Sequence, residues 1–138
     1  MDKKSLSDYF VSTVAYNNVA SLMAKFDDFC AFVDTYKPYK PTIIMLSETW
    51  LTSFITDELI SLDGYTIFRS DRVRRGGGVC VYISDLVLAN FTVTPLGGNT
   101  GGIDSLFLKV INSSTTFALG CVYRPSSPLF NDDIILFI

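Results

Sequence analysis

Glutamate is scarce in this sequence, and its scarcity makes Glu48 conspicuous. Only two glutamates occur, Glu48 and Glu58, and Glu48 follows the charge-free run Thr42-Ile43-Ile44-Met45-Leu46 within Ser47-Glu48-Thr49-Trp50. Such a run reads as a strand buried on both faces. A carboxylate at its carboxyl end stands where layered α/β folds present groups to ligands. One carboxylate there suits a hard, oxygen-preferring cation such as Mg²⁺, which takes one or two protein carboxylates and keeps its waters for a phosphate. The bland alternative is a solvated strand-end glutamate, or a cap on the next turn. Asn17-Asn18 closes an earlier β-branched and aromatic segment, Phe10 to Tyr16, and lies beside Glu48 if the two strands are neighbours. An asparagine amide can orient a water or a carboxylate, but a turn is the reading the residues alone favour.

Two further segments carry charge or hydroxyls suited to phosphate chemistry. Arg69-Ser70-Asp71-Arg72-Val73-Arg74-Arg75 holds four arginines and one aspartate in seven residues and runs into Gly76-Gly77-Gly78. Arginine offers a bidentate fork to phosphate oxygens, and such contacts position a nucleic-acid backbone. A solvated hairpin loop explains the segment equally well. The glycines are no phosphate-cradling fingerprint, because a strand follows them rather than a helix opening with Lys-Ser/Thr. Tyr123-Arg124-Pro125 closes another strand with a hydroxyl and a guanidinium, either able to donate to a phosphoryl oxygen, although strand-end tyrosines more often simply pack.

The elements that must position these groups follow from pattern. Leu22, Phe26, Phe29, Cys30, Val33 and Tyr36 form an apolar stripe at helical spacing, with Ser21 as expected N-cap and Pro38 as stop. The tandem Tyr-Lys-Pro of 36–38 and 39–41 is a connector, since prolines three residues apart suit neither helix nor central strand. Strand, helix, strand is a layered α/β opening. A helical turn is expected at 56–60, strands at 65–68 and 79–83, and a hairpin from 105–111 and 117–123 around Asn112-Ser113-Ser114. After residue 60 the chain is nearly all β. Asp132-Asp133 opens a final apolar element that reads as a helix start.

Composition narrows the classes. The 138 residues are 49% hydrophobic and 18% charged, which fits one globular domain and excludes disordered and coiled-coil chains. Mean hydropathy is +0.34, yet the longest charge-free run, Leu86 to Ile103, carries Pro95, four glycines and two asparagines and is no membrane span. No membrane partner or secretion signal is expected, and an intracellular setting is the default. A net charge of -3 argues against binding nucleic acid through the overall field, so any polyanion site must be local. Cys30, Cys80 and Cys121 match no zinc spacing and read as buried thiols. The absence of histidine excludes a histidine base or ligand within this chain.

Taken in order, several segments resemble one family. They are Asn18-Val19-Ala20-Ser21-Leu22 before a Lys-Phe-Asp helix, Ile43 to Leu51 with its Ser-Glu-Thr-Trp-Leu, and Gly64-Tyr65 with Arg69-Ser70-Asp71-Arg72. Arg75-Gly76-Gly77-Gly78-Val79 and Val122-Tyr123-Arg124-Pro125 complete the set. The order is similar to that of the endonuclease domain of non-LTR (LINE- or jockey-like) retrotransposons, in the endonuclease/exonuclease/phosphatase superfamily typified by apurinic endonuclease. The resemblance spans about residues 12 to 128. It implies an α/β, or α+β, four-layer sandwich of two packed β-sheets flanked by helices, here as the N-terminal part of a domain whose C-terminal part is absent from residues 1–138. It also implies Mg²⁺-dependent (or Mn²⁺-dependent) phosphodiester cleavage of DNA, without a small-molecule cofactor, leaving a 3′-hydroxyl that primes reverse transcription. In an active element this work would be nuclear.

Carried over residue by residue, the resemblance makes Glu48 the metal ligand and Asn18 the asparagine that organises carboxylate and water. Tyr123 becomes the hydroxyl beside the scissile phosphate, and Arg72, Arg74 and Arg75 lie on a loop toward DNA; Arg124, by its strand-end guanidinium, is a further candidate DNA contact. Two later blocks of the family, Gly-Asp-Phe-Asn and Ser-Asp-His, have no counterpart in the sequence. The chain alone is therefore expected to be inactive, since the general base is missing. A non-catalytic nucleic-acid-binding remnant and a phosphatase or deadenylase of the same superfamily are the alternatives.

Overall fold

Strand β2, Ile43–Ser47, is buried at every position, and its alternate residues divide between two cores. The computed structural model describes residues 14–73, 76–100, 102–124 and 134–137. Because strand side chains alternate across the sheet, Ile44 and Leu46 enter one apolar cluster while Ile43 and Met45 enter the other. Strand β4, Val79–Ser84, alternates likewise, with Cys80 and Tyr82 on the first face and Val79, Val81 and Ile83 on the second.

These two strands form the centre of a four-stranded sheet ordered β1-β2-β4-β3, with β1 at Val14–Asn18 and β3 at Tyr65–Ser70. β1 and β2 run parallel, and the other neighbours are antiparallel. Helix α1, Phe26–Asp34, crosses between β1 and β2 and lays Phe29 and Val33 against Tyr82 and Leu46. The second sheet is an antiparallel meander of β5 (Thr92–Thr100), β6 (Ile103–Ile111), β7 (Thr116–Tyr123) and β8 (Ile134–Phe137). Its Leu106, Leu108, Val110, Leu119 and Cys121 meet the second face of β2 and β4. The layers are thus helix, sheet, sheet, the two packed sheets the resemblance implied. Among the described residues no helix covers the outer side of the second sheet, and none is long and apolar enough to cross a membrane.

Several local expectations need correction. Asn17 and Asn18 are not a turn: they end β1, opposite Leu46 and Ser47, because pairing with a fully buried strand outweighs the turn preference of asparagine. Ser21 caps nothing. It has φ 83°, the chain passes through a 3₁₀ turn at Met23–Lys25, and α1 begins at Phe26 without a side-chain cap. Tyr36 lies beyond α1 and is 46% exposed, and Cys30 is only partly buried. A short helix α2, Asp85–Leu88, follows β4, with the Ser84 hydroxyl accepting from Leu86 N–H at 3.3 Å. Strand β5 carries no strand signature in the sequence, because Pro95 and its glycines break the usual pattern. They are tolerated at a sheet edge, where the register shifts between Pro95 and Gly97 and again between Gly98 and Thr100. The last apolar run is a strand paired to β7, not a helix.

Candidate functional site

At the carboxyl end of β2 the chain kinks sharply. Glu48 has φ 55° and Trp50 φ 54°, left-handed conformations that non-glycine residues seldom adopt. Two loops hold the kink. From one side Ser21 N–H donates to Glu48 O and Leu22 N–H to Thr49 O, each at 2.9 Å. From the other, Thr49 N–H donates to Gly78 O at 3.3 Å and Trp50 N–H to Gly77 O at 2.8 Å. Thr49 and Leu51 are buried as anchors, whereas Glu48 is partly exposed and Trp50 is 44% exposed. The Trp50 indole N–H donates to Glu48 Oε2 at 2.6 Å. Gly78, at φ 85°, lies so close that a Cβ there would fall 2.9 Å from Thr49 Oγ1. That hydroxyl is buried with no hydrogen-bond partner among the described residues.

Asn18 closes the neighbouring strand. It pairs with Ser47, so its exposed side chain and that of Glu48 leave the same end of the sheet. The register is pinned beneath them by a 2.7 Å hydrogen bond between the Tyr16 hydroxyl and Ser47 Oγ. As a donor set, one carboxylate and one amide oxygen are hard ligands that suit Mg²⁺ in a water-rich coordination shell. The described residues contain no cluster of three or more acidic, histidine or cysteine side chains.

The second sheet reaches this rim through Arg72. Its Nε and Nη2 donate to the two oxygens of Asp104, at 3.1 and 2.5 Å, a bidentate pair with the Asp104 side chain 3% exposed. The hydrogen bond to Asp104 raises the Arg72 pKa from its ordinary value against the opposing effect of burial, and the carboxylate charges of Asp104 and Glu48 push the same way. Arg72 is thus within electrostatic reach of Glu48 on one sheet and bound to Asp104, the register partner of Tyr123, on the other. Tyr123 ends β7 directly opposite Asp104 in the β6–β7 register, with its ring against the inter-sheet core. Gly77, at φ 61°, makes room for the guanidinium: a Cβ there would fall 2.2 Å from Arg72 Cζ. A polar joint stands alongside. Asn99 Oδ1 accepts from Ser70 Oγ at 3.0 Å and Ser105 N–H at 2.9 Å, and its Nδ2 donates to Asp71 O at 3.0 Å.

The structure therefore gathers Asn18, Glu48, Arg72 and Tyr123 at one rim, where β1, β2 and β7 end. Arg124 follows Tyr123 and is exposed. Arg74 and Arg75 lie outside the described residues. Arg69, from the same basic cluster, is committed elsewhere, binding Asp71, Asp57 and the carbonyls of Thr52 and Ile55. Two neighbours of the site escaped sequence reasoning. Asp104 is a lone acid in an apolar strand, 32 residues from its arginine. Trp50 carries no signal of its own beyond the Ser-Glu-Thr-Trp motif, since the left-handed backbone that turns it onto Glu48 leaves no mark in composition.

Comparison with solved structures places this architecture among known ones. The chain aligns with AP endonuclease LMAP from Leishmania major at TM-score 0.60 and 21% identity, over 89% of this chain and 44% of that one. A humanized D. rerio TDP2 carrying 14 mutations aligns at TM-score 0.57 and 15% identity, over 83% and 51% of the two chains. D. rerio TDP2 in complex with a single-strand DNA product aligns at TM-score 0.55 and 16% identity, over 83% and 46%. At such identities the likeness establishes a shared fold, that of the AP-endonuclease-like two-sheet proteins. The chain spans about half the length of the structures it matches. No family model matches the sequence, and no curated protein is significantly similar to it.

Proposed function

We propose that this chain is part of a Mg²⁺-dependent phosphodiester hydrolase acting on DNA, of the type found in the endonuclease domain of non-LTR retrotransposons. The observation that carries the reading is the convergence of Glu48, Asn18 and Tyr123 on the rim that Arg72 bridges. The fold shared with an AP endonuclease and with a TDP2 that holds a DNA product supports the same chemistry. In this reading Glu48 holds the cation, and the Asn18 amide orients the carboxylate and its water. The Tyr123 hydroxyl donates to a non-bridging phosphoryl oxygen, where it opposes charge that grows in the transition state. Arg72, with one edge fixed by Asp104, turns the rest of its fork to the phosphate. When bound, Mg²⁺ polarises the phosphoryl group. The sequence supplies no Gly-Asp-Phe-Asn or Ser-Asp-His block to abstract the proton from water, so the reading assigns this chain substrate and cation binding rather than turnover.

Cation binding by the purified chain tests this, with Mn²⁺ standing in for Mg²⁺ and free Mn²⁺ followed by electron paramagnetic resonance. Saturable binding that disappears in Glu48→Gln is expected, and binding unchanged by that substitution removes the reading. Supercoiled plasmid incubated with the chain and Mg²⁺ is expected to stay intact. Nicking that Glu48→Ala abolishes would show that the chain already holds a complete catalytic set.

A further inference from the structure

The Glu48–Trp50 kink is an expensive piece of backbone. Non-glycine residues seldom adopt left-handed conformations, because Cβ crowds the carbonyl oxygen, and the kink contains two of them around a buried threonine with an unpartnered hydroxyl among the described residues. Conformations of this kind persist only where the surroundings over-determine them. Here four backbone hydrogen bonds from two loops do so. What the kink achieves is specific: Trp50 turns back, and its indole N–H meets Glu48 Oε2 at 2.6 Å. Packing does not demand this contact, because the apolar anchor of the segment is Leu51, at 2% exposure, while Trp50 is 44% exposed. Nor does hydrogen-bond satisfaction demand it, since water can serve the N–H of an exposed indole. The other carboxylate oxygen, Oε1, accepts no hydrogen bond among the described residues.

We infer that Trp50 is a positioning residue for the Glu48 carboxylate: its indole N–H holds Oε2 in place and presents Oε1 to a divalent cation. The inference rests on the cation-binding reading above. Groups that orient a ligating carboxylate from outside typically change metal affinity by about 10- to 100-fold when removed. A loss of about tenfold is expected here, because the pair is partly exposed.

Trp50 is the only tryptophan, so the ¹⁵N-labelled full chain has a single indole N–H resonance. On titration with Mg²⁺ that resonance is expected to move along a saturating curve in the wild-type chain and to stay still in Glu48→Gln. Trp50→Phe, which keeps a ring and removes the donor, is expected to weaken Mn²⁺ binding about tenfold with the melting temperature unchanged. If Trp50→Phe binds Mn²⁺ as tightly as wild type while Glu48→Gln binds none, the positioning role is refuted and the cation site stands. If Glu48→Gln binds Mn²⁺ normally, the cation site itself is refuted. Should Trp50→Phe fail to fold, the wild-type titration decides: an indole resonance indifferent to Mg²⁺, in a chain that binds Mn²⁺, overturns the inference.

Discussion

The two ends of the β6–β7 hairpin are built on opposite principles. At the turn, Asn112 does everything locally: its Oδ1 accepts from the N–H of Ser114 at 3.0 Å and of Thr115 at 2.8 Å, and its own N–H donates to Thr115 O at 2.9 Å. No residue of that turn has a positive φ. At the other end, Asp104 and Tyr123 meet a rim with left-handed Glu48 and Trp50, an orphaned threonine hydroxyl and close-packed glycines. Strain and unmet polar groups accumulate where chemistry is proposed, and they are absent where the chain merely reverses.

Four substitutions test this contrast. Gly78→Val should have the largest effect, because it adds left-handed strain to a 2.9 Å approach on Thr49 Oγ1. A loss of about 3 kcal/mol in urea unfolding is expected, and a loss below 1 kcal/mol would mean that the rim yields easily. Asp104→Ala leaves Arg72 without its carboxylate. Removing one partner of a buried pair costs about 3–5 kcal/mol, and the 30% exposure of the Arg72 side chain reduces the expectation to about 2 kcal/mol. The same variant should weaken binding of labelled duplex DNA, whereas a purely structural pair would alter stability alone.

Glu48→Gly should do the reverse of the first two. With the left-handed strain relieved, the chain should gain about 1 kcal/mol while losing Mn²⁺ binding. A destabilised Glu48→Gly chain would show that the carboxylate contributes to folding and is not held there against it. Asn112→Ala should be the mildest, a loss of about 1 kcal/mol for the local hydrogen bonds, with Mn²⁺ and DNA binding untouched.

How far the sequence discloses this molecule depends on whether a residue acts on its neighbours or at a distance. β2 was legible because burial on both faces demands an unbroken apolar run. The stripe of α1 was legible through Phe29 and Val33. Its start was not, since the chain enters by a 3₁₀ turn that carries no cap. β5 was hidden by Pro95 and its glycines, which only an edge position makes acceptable. Glu48 and Asn18 stood out by type, but their adjacency depended on a parallel pairing that the residues alone left open. Asp104 looked like any acid on a strand, and only the approach of the two sheets reveals its arginine.

The parallel union of β1 with β2 has a consequence for assembly. Its closing contact joins Tyr16 to Ser47 across a separation of 31 residues, with the whole of α1 threaded between. Contacts of that range form only after a large loop has been closed, whereas a hairpin such as β6–β7 joins partners near each other in the chain. A folding chain can thus complete much of its second sheet while Asn18 and Glu48 are still strangers. The rim is complete only once the crossover has docked.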